Sequence, residues 1–336
     1  MDGSCADRRW LVVVALLAIA ILPAAAQQRV VIGYPGPLNT PWLPLELAPK
    51  IGADHAEGLE LVSRYVTGAA GLNDLLSRNI DFAVPGVPAA MSARARGGDV
   101  VAIMPLSDLP VYMLVVRAEL KGKIKRIGDL AGRVVGVTSS TLAAKTTSHQ
   151  VAELLLRQDG VPLSAMRIVS LGQNWGDVSA AFRSSSADAF VGFDPITTRL
   201  VESGMAYSLF DLHSPDDAAK VPGAGFLLAG IITRGDVIAK APEKIRRVVA
   251  MMRRVLEWMA TRSPEEIVAA LNVGDAERRA SLLQSLRSHP RQFSRDGKFS
   301  EHQIAETDRF FAAIGGETAP VTLGSMLDAR WAGRKP

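Results

Sequence analysis

Residues 127–148 read IGDLAGRVVGVTSSTLAAKTTS. Val134 to Val137 is a short apolar run without polar alternation, the pattern of a strand buried on both faces of a parallel sheet. Hydroxyl residues follow it, and the segment from Ser148 to Gln158 has a helical signature. Strand, polar turn and helix in that order make one βα unit, and the same order recurs along the chain. Val30 to Tyr34, Ile80 to Val84, Val100 to Met104, Val111 to Val116, Arg167 to Ser170, Ala187 to Val191 and Phe226 to Ile232 read as strands. Leu72 to Arg78 and Val178 to Ser184 read as helices between them. The alternation predicts an α/β protein with parallel-rich sheets and flanking helices.

The C-terminal third departs from this pattern and reads as nearly all helix. Ile245, Val248, Val249, Met252, Val255, Leu256 and Met259 recur at helical spacing, with Arg246, Arg247, Arg253 and Arg254 on the other face. A basic amphipathic helix suits a membrane surface, but a solvated face over a core-packed stripe is the commoner use. Ser263-Pro264-Glu265-Glu266 is a capping box with proline at the first helical position. There is also an internal echo. LNDLLSRNIDFAVPGVP (72–88) aligns without a gap on SAAFRSSSADAFVGFDP (179–195), placing Asp81 on Asp188 and Pro88 on Pro195. Two similarly built α/β halves would produce it.

Of 336 residues, 48% are hydrophobic and 21% charged, an ordinary globular balance for about two domains. The 38 basic and 34 acidic residues are interspersed, which argues against nucleic acid as a partner. Residues 1–26 read as a secretory signal: Arg8 and Arg9, an apolar run from Trp10 to Leu22, Pro23, then Ala24-Ala25-Ala26 before Gln27. The run is short for a membrane span. Asp7 before the arginine pair fits Sec export better than twin-arginine export. Cys5, the single cysteine, precedes the apolar run. The exported chain is therefore expected to carry no disulfide, thiol nucleophile or Cys-zinc site.

No catalytic motif emerges. The five histidines fall in no metal-ligand spacing, and there is no nucleophile elbow, Walker loop or dinucleotide fingerprint, so neither metal nor cofactor is expected. Attention falls instead on the turns at strand ends, where open α/β sheets bind ligands against helix N-termini. The first contains Asn39, Thr40 and Trp42, the indole serving either as a flat wall or as core. The second, Thr67-Gly68-Ala69, is small enough for a ligand to approach the backbone. The third carries Gly86 and Val87. The fourth carries Ser139, then Thr146, Thr147 and Ser148, hydroxyls that equally suit helix capping. The fifth holds Phe193 and Asp194. With Pro195 read as the first helical residue, Asp194 is an N-cap candidate, and if it faces the cleft it also accepts an N–H from a ligand.

Five stretches together carry a family resemblance: VVIGYPGPLNTPWLPLELA (30–48), GAAGLNDLLSRNIDFAVPGVPAAMSARARGG (68–98), RIGDLAGRVVGVTSS (126–140), ADAFVGFDPITTRLVESG (187–204) and PRQFSRDGKFSEHQIAETDRFFAAIG (290–315). The chain resembles the periplasmic substrate-binding proteins of ABC importers, in the group that takes nitrate, aliphatic sulfonates, taurine or thiamine-pyrimidine precursors. The resemblance implies a two-lobed, type II-like periplasmic binding protein fold. The first lobe is expected at residues 27–117 plus 225–336 and the second at 118–224. It also implies a monomer in the periplasm that closes on a small anionic or zwitterionic solute and hands it to an ABC permease and its ATPase. Two alternatives stay open: a solute receptor for a sensor system, and an enzyme related to the pyrimidine-synthesising members of the fold.

Overall fold

The computed structural model describes residues 27–66, 70–141, 144–315 and 321–335. The expected signal segment lies outside the described residues, as do Thr67, Gly68 and Ala69.

Ten strands form two five-stranded sheets: β1 (Gln28–Tyr34), β2 (Leu59–Tyr65), β3 (Phe82–Ala83), β4 (Val101–Pro105), β5 (Tyr112–Arg117), β6 (Val134–Val137), β7 (Arg167–Ser170), β8 (Ala189–Phe193), β9 (Ala206–Asp211) and β10 (Gly230–Thr233). The first sheet has the order β2-β1-β3-β10-β4 and the second β7-β6-β8-β5-β9. In each, four strands run parallel, and the fourth in order is antiparallel to them and arrives from the other sheet: β10 in the first, β5 in the second. The two sheets thus repeat one topology and are crossed twice by the chain, once before β5 and once before β10. The fold is the two-lobed α/β arrangement that the sequence predicts.

The internal echo falls on equivalent strands, since β3 and β8 hold the same central place. Its aspartates do equivalent work. Asp81 lies 3.6 Å from the guanidinium of Arg234, just past β10, and Asp188 lies 3.3 Å from that of Arg117, at the end of β5. Each ties its lobe's central strand to the strand that crosses over from the other lobe. β5 pairs with β8 and β9, so residues 112–117, expected in the first lobe, lie in the second sheet. The apolar run alone does not say which sheet a crossover strand joins. Phe226 to Ala229 is not strand; β10 begins at Gly230.

Ten helices matter here: α1 (Leu43–Lys50), α2 (Ala70–Leu76), α3 (Val87–Ala95), α4 (Thr147–Gln158), α5 (Trp175–Arg183), α6 (Ile196–Glu202), α7 (Pro242–Ala260), α8 (Pro264–Leu271), α9 (Ala276–Ser288) and α10 (Glu301–Ala313). α7 buries the whole predicted stripe, from Ile245 to Met259. Its arginines are spent on the surface of the protein itself: Arg246 and Arg247 pair with Glu243, Arg254 with Glu57, and Arg253 donates to Ala332 O. The box at Ser263 forms as read, with Ser263 accepting from Glu266 N and Glu266 from Ser263 N. Among the described residues, no helix is long and apolar enough to cross a membrane.

Candidate functional site

The C-terminal ends of β1, β3, β6 and β8 converge on one cavity of about 690 Å³ between the two sheets. Pro35, Trp42, Pro85 and Gly86 line it from the first lobe, and Tyr112, Thr138, Thr146, Thr147, Gln173 and Phe193 from the second. Placement at strand ends follows the rule for open α/β sheets, and the volume falls within the range of about 300–1,000 Å³ typical of ligand sites.

Three aromatic rings form one wall. Trp42 meets Phe193 edge-on at 5.0 Å between centroids, and Phe193 meets Tyr112 at 6.0 Å. The Trp42 indole N–H donates to Val84 O at 2.7 Å, which fixes the ring and leaves only its apolar face for the cavity. Trp42 is 2% exposed and on the wall, so it serves both as core and as site.

Two helix starts also line the cavity. Gly86 and Thr146 are the N-cap residues of α3 and α4, and neither N-terminus is capped by a side chain. Other helix starts do spend side chains on capping: Asn174 at α5, Ser263 at α8, Asp275 at α9 and Ser300 at α10. A helix N-terminus without a side-chain cap leaves first-turn N–H groups and a partial positive charge for an anion; at α3 the Val87 N–H is already given to Leu228 O and Pro88 has none, so α4 offers the larger share. The two starts touch across the lobes. A Cβ on Gly86 would stand 2.1 Å from the Thr147 hydroxyl and 2.9 Å from Thr147 Cβ, so only glycine fits there. Gln150 Nε2, one turn into α4, donates to Ser92 Oγ of α3 at 2.9 Å.

Two side chains on the wall are buried without a hydrogen-bond partner. Thr147 Oγ1 lies near the Tyr112 phenol but meets no hydrogen-bond geometry, and Gln173 Oε1 likewise has no partner. Thr147 is 2% exposed and Gln173 7%. Buried polar atoms are nearly always paired, so orphans facing a cavity mark where something else supplies the bond. Asn39 Nδ2 is a third such atom, and it faces an adjoining cavity of about 250 Å³ that shares Gln173.

Arg78, Arg96, Lys145, Arg234 and Asp99 line the cavity, but Arg78 lies 3.8 Å from Asp236 and Arg234 lies 2.8 Å from Asp236 and 3.6 Å from Asp81, so these charges are largely balanced within the protein. Lys145 is held by both oxygens of Glu153 at 2.8 Å. Burial works against the Glu153 charge, but His149 and Lys145 outweigh it and hold the carboxyl at about 2.

Of the residues singled out in the sequence, Trp42, Gly86, Thr146, Thr147 and Phe193 come together on the wall. Thr40, Val87, Ser139, Ser148 and Asp194 do not. Ser148 Oγ accepts from Thr138 N and donates to Val191 O, fastening the β6–α4 turn to β8. Thr40 N donates to Asp194 O at 3.0 Å, joining the lobes beneath the cavity. Val87 is fully buried, its N–H given to Leu228 O.

Asp194 requires a correction. It is 1% exposed and off the cavity wall, and one of its carboxylate oxygens takes three internal hydrogen bonds. Oδ1 accepts from Thr197 Oγ1 at 2.6 Å, Thr198 Oγ1 at 2.8 Å and Thr198 N at 3.1 Å. Oδ2 lies 3.4 Å from His289 Nε2, contributed by the end of α9. α6 starts at Ile196, one residue later than the Pro195 reading implies. Burial opposes the Asp194 charge, but His289 and the two threonine hydroxyls outweigh it and hold the carboxyl at about 2.

The sequence reading missed Pro35, Tyr112 and Gln173 on the wall. Gln173 follows the end of β7, a strand the reading had found, so the strand-end rule applied to that turn also would have reached it. Tyr112 opens a crossover strand, and nothing local signals that its ring turns into a cleft. Among the described residues, no three of His, Cys, Asp or Glu gather as a metal site, and neither His nor Cys lies on the described wall.

The sequence matches the family described as NMT1/THI5 like over residues 55–267. No curated protein matches the chain. Among solved structures, a protein of Bordetella bronchiseptica RB50 is similar at 20% identity and a TM-score of 0.81, covering 91% of this chain and 96% of that one. The alkanesulfonate-binding protein SsuA from Xanthomonas axonopodis pv. citri, bound to MOPS, is similar at 17% identity and a TM-score of 0.71, covering 91% and 99%. The desulfurization enzyme DSZB is similar at 16% identity and a TM-score of 0.61, covering 90% and 98%. At these identities the likeness is one of fold.

Proposed function

This chain belongs to the NMT1/THI5-like family, and from that premise we propose that it is an extracytoplasmic solute-binding protein. It captures a small anionic or zwitterionic solute between its lobes and delivers it to an ABC import permease and its ATPase. The observation that carries this reading is the pair of buried, unpartnered polar atoms, Thr147 Oγ1 and Gln173 Oε1, on one interlobe cavity. The uncapped starts of α3 and α4 support it, since they favour a negative group at the same place. We take the lobes as residues 27–105 plus 230–335 and residues 112–211, with crossovers at 106–111 and 212–229.

Thr147 and Gln173 belong to the second lobe and Trp42, Pro85 and Gly86 to the first, so a solute held between them favours the form in which the lobes meet. A permease then distinguishes loaded from empty protein by shape. Export by the N-terminal segment places the protein where such a permease faces outward, and the protein acts as a monomer.

The fold also serves the enzyme DSZB, but the described wall here offers no cysteine or histidine for nucleophilic or general-base work. The test is a thermal-shift screen of the purified protein with nitrate, taurine, alkanesulfonates and pyrimidines. A true ligand at 100 times its Kd is expected to add about 2.7 kcal/mol of stability. No upshift with any compound would contradict the reading, and turnover of a bound compound would favour the enzyme.

A further inference from the structure

Two histidines that the solute site does not use meet between the lobes. His213 stands at the start of the second crossover, two residues past β9, and His289 ends α9 in the first lobe. Their rings stack with centroids 3.5 Å apart and planes 21° apart. Each is backed by a carboxylate of the second lobe. His213 Nδ1 lies 3.3 Å from Asp211 Oδ1, and His289 Nε2 lies 3.4 Å from Asp194 Oδ2. The other two ring nitrogens, His213 Nε2 and His289 Nδ1, are buried without a partner. The carboxylates are therefore the partners of both rings.

The stack sits at the hinge. The segment from His289 to Ser294 grips both crossovers: His213 of one packs on His289, and from the other Asp108 N donates to Gln292 O at 2.9 Å and Leu106 O accepts from Ser294 N at 3.0 Å. Hinge residues absorb the dihedral change when lobes move, so opening shifts His213 and Asp194 against His289.

The charges around the stack are unequal. Asp194 and Asp211 face it from the second lobe. Asp217 Oδ2 accepts from Asp211 N at 3.0 Å but is itself paired with Lys220 at 2.8 Å. From the first lobe, Arg262 and Arg295 share a cavity wall with His289, and Arg262 pairs with Glu266. Burial works against the Asp211 charge, but the His213 ring and backbone N–H outweigh it and hold the carboxyl below its ordinary value. Asp194 is held at about 2. Both carboxylates thus stay ionised over the range in which an imidazole exchanges its proton. Two anions beside two neutral rings favour one proton, and a second is opposed by the cation stacked against it.

We propose that the His213–His289 stack is a proton-operated clasp on the hinge, in which His289 takes up one proton as the lobes close and so strengthens its tie to Asp194 across them. The closed form then binds one proton more than the open form, so mild acid favours closure and rising pH opposes it. By linkage, a solute that closes the lobes draws in a proton, and its affinity falls as pH rises. The clasp goes beyond the solute-binding reading and rests on it only in that the lobes move.

The experiment is small-angle scattering of the purified protein, with no solute added, at about pH 5.5 and about pH 8, either side of the ordinary imidazole value of about 6.5. The closed-to-open ratio is expected to be about fivefold or more higher at the lower pH, read as a smaller radius of gyration. His289→Gln keeps an N–H for Asp194 but exchanges no proton, and is expected to abolish the response. Asp211→Asn, at a half-buried position, keeps the fold and is expected to shrink it. His149, 3.4 Å from Glu153 on α4, is the competing proton site, and His149→Gln is expected to leave the response intact. A radius independent of pH, a response unchanged in His289→Gln or Asp211→Asn, or one lost in His149→Gln overturns the clasp. The same measurement with taurine, nitrate and alkanesulfonates separates the two readings. A compound that shrinks the radius where pH alone does not overturns the clasp and leaves solute binding standing.

Discussion

Asp194→Ala is expected to cost about 3–5 kcal/mol of stability, because it takes the acceptor from several buried donors at once. The carboxylate is 1% exposed and accepts three hydrogen bonds at the start of α6, while His289 faces its other oxygen from α9. Its removal leaves buried donors without acceptors, each worth about 1–3 kcal/mol. The sequence alone suggests a smaller outcome, the loss of an N-cap worth about 0.5–2 kcal/mol together with a ligand contact. The pH dependence has a definite sign. Folding lowers the Asp194 carboxyl from 3.8 to about 2. Its contribution is therefore complete above about pH 4 and disappears as pH falls through 2, and the variant should lack this acid-labile part. Urea unfolding at pH 7 and at pH 3 measures both. A variant within about 1 kcal/mol of the parent at pH 7 would show that the Asp194 network holds nothing.

Gly86→Ala is expected to leave each lobe folded and to weaken ligand binding roughly fivefold to 150-fold. The backbone at Gly86 is extended, with φ −64° and ψ 128°, which alanine adopts without strain. The conflict comes from the other lobe, where the new Cβ would lie 2.1 Å from the Thr147 hydroxyl. Rotating that hydroxyl away does not help, because Thr147 Cβ is itself at 2.9 Å. Overpacking costs about 1–3 kcal/mol, which converts to the stated loss if it falls on the closed form alone. Calorimetry reads the affinity, and small-angle scattering is expected to show a larger radius of gyration. An unchanged affinity would mean that α3 and α4 need not meet for the ligand to be held.

Much of this architecture is legible in the residues, and where it is not there is a physical reason. Unalternated runs such as Val134–Val137 and Ala189–Val191 declare central strands because both faces are covered. β2 and β9 escape that reading. They lie at the ends of their sheets, and LELVSRY and AYSLFD mix polar residues into the pattern because one edge and part of a face meet solvent. The site is legible as far as it obeys the strand-end rule, which finds Trp42, Gly86, Thr147 and Phe193. Asp194 also satisfies that rule but turns inward, since a carboxylate beside two threonines and a histidine is better paired there than in a cleft. His289 lies 95 residues further along the chain, and no local pattern announces that partner.

The central claim is that the ligand takes the bonds that Thr147 and Gln173 lack. Thr147→Val tests it most directly, because valine keeps the shape and removes only the hydroxyl. That hydroxyl is buried and meets no hydrogen-bond geometry within the protein, so the variant should melt at the parent temperature or slightly above it. Calorimetric titration with whichever anion gives the largest thermal upshift should show binding weakened about tenfold to a hundredfold, the value of one hydrogen bond to a charged group. A variant that melts lower and binds that anion as tightly as the parent would contradict the account.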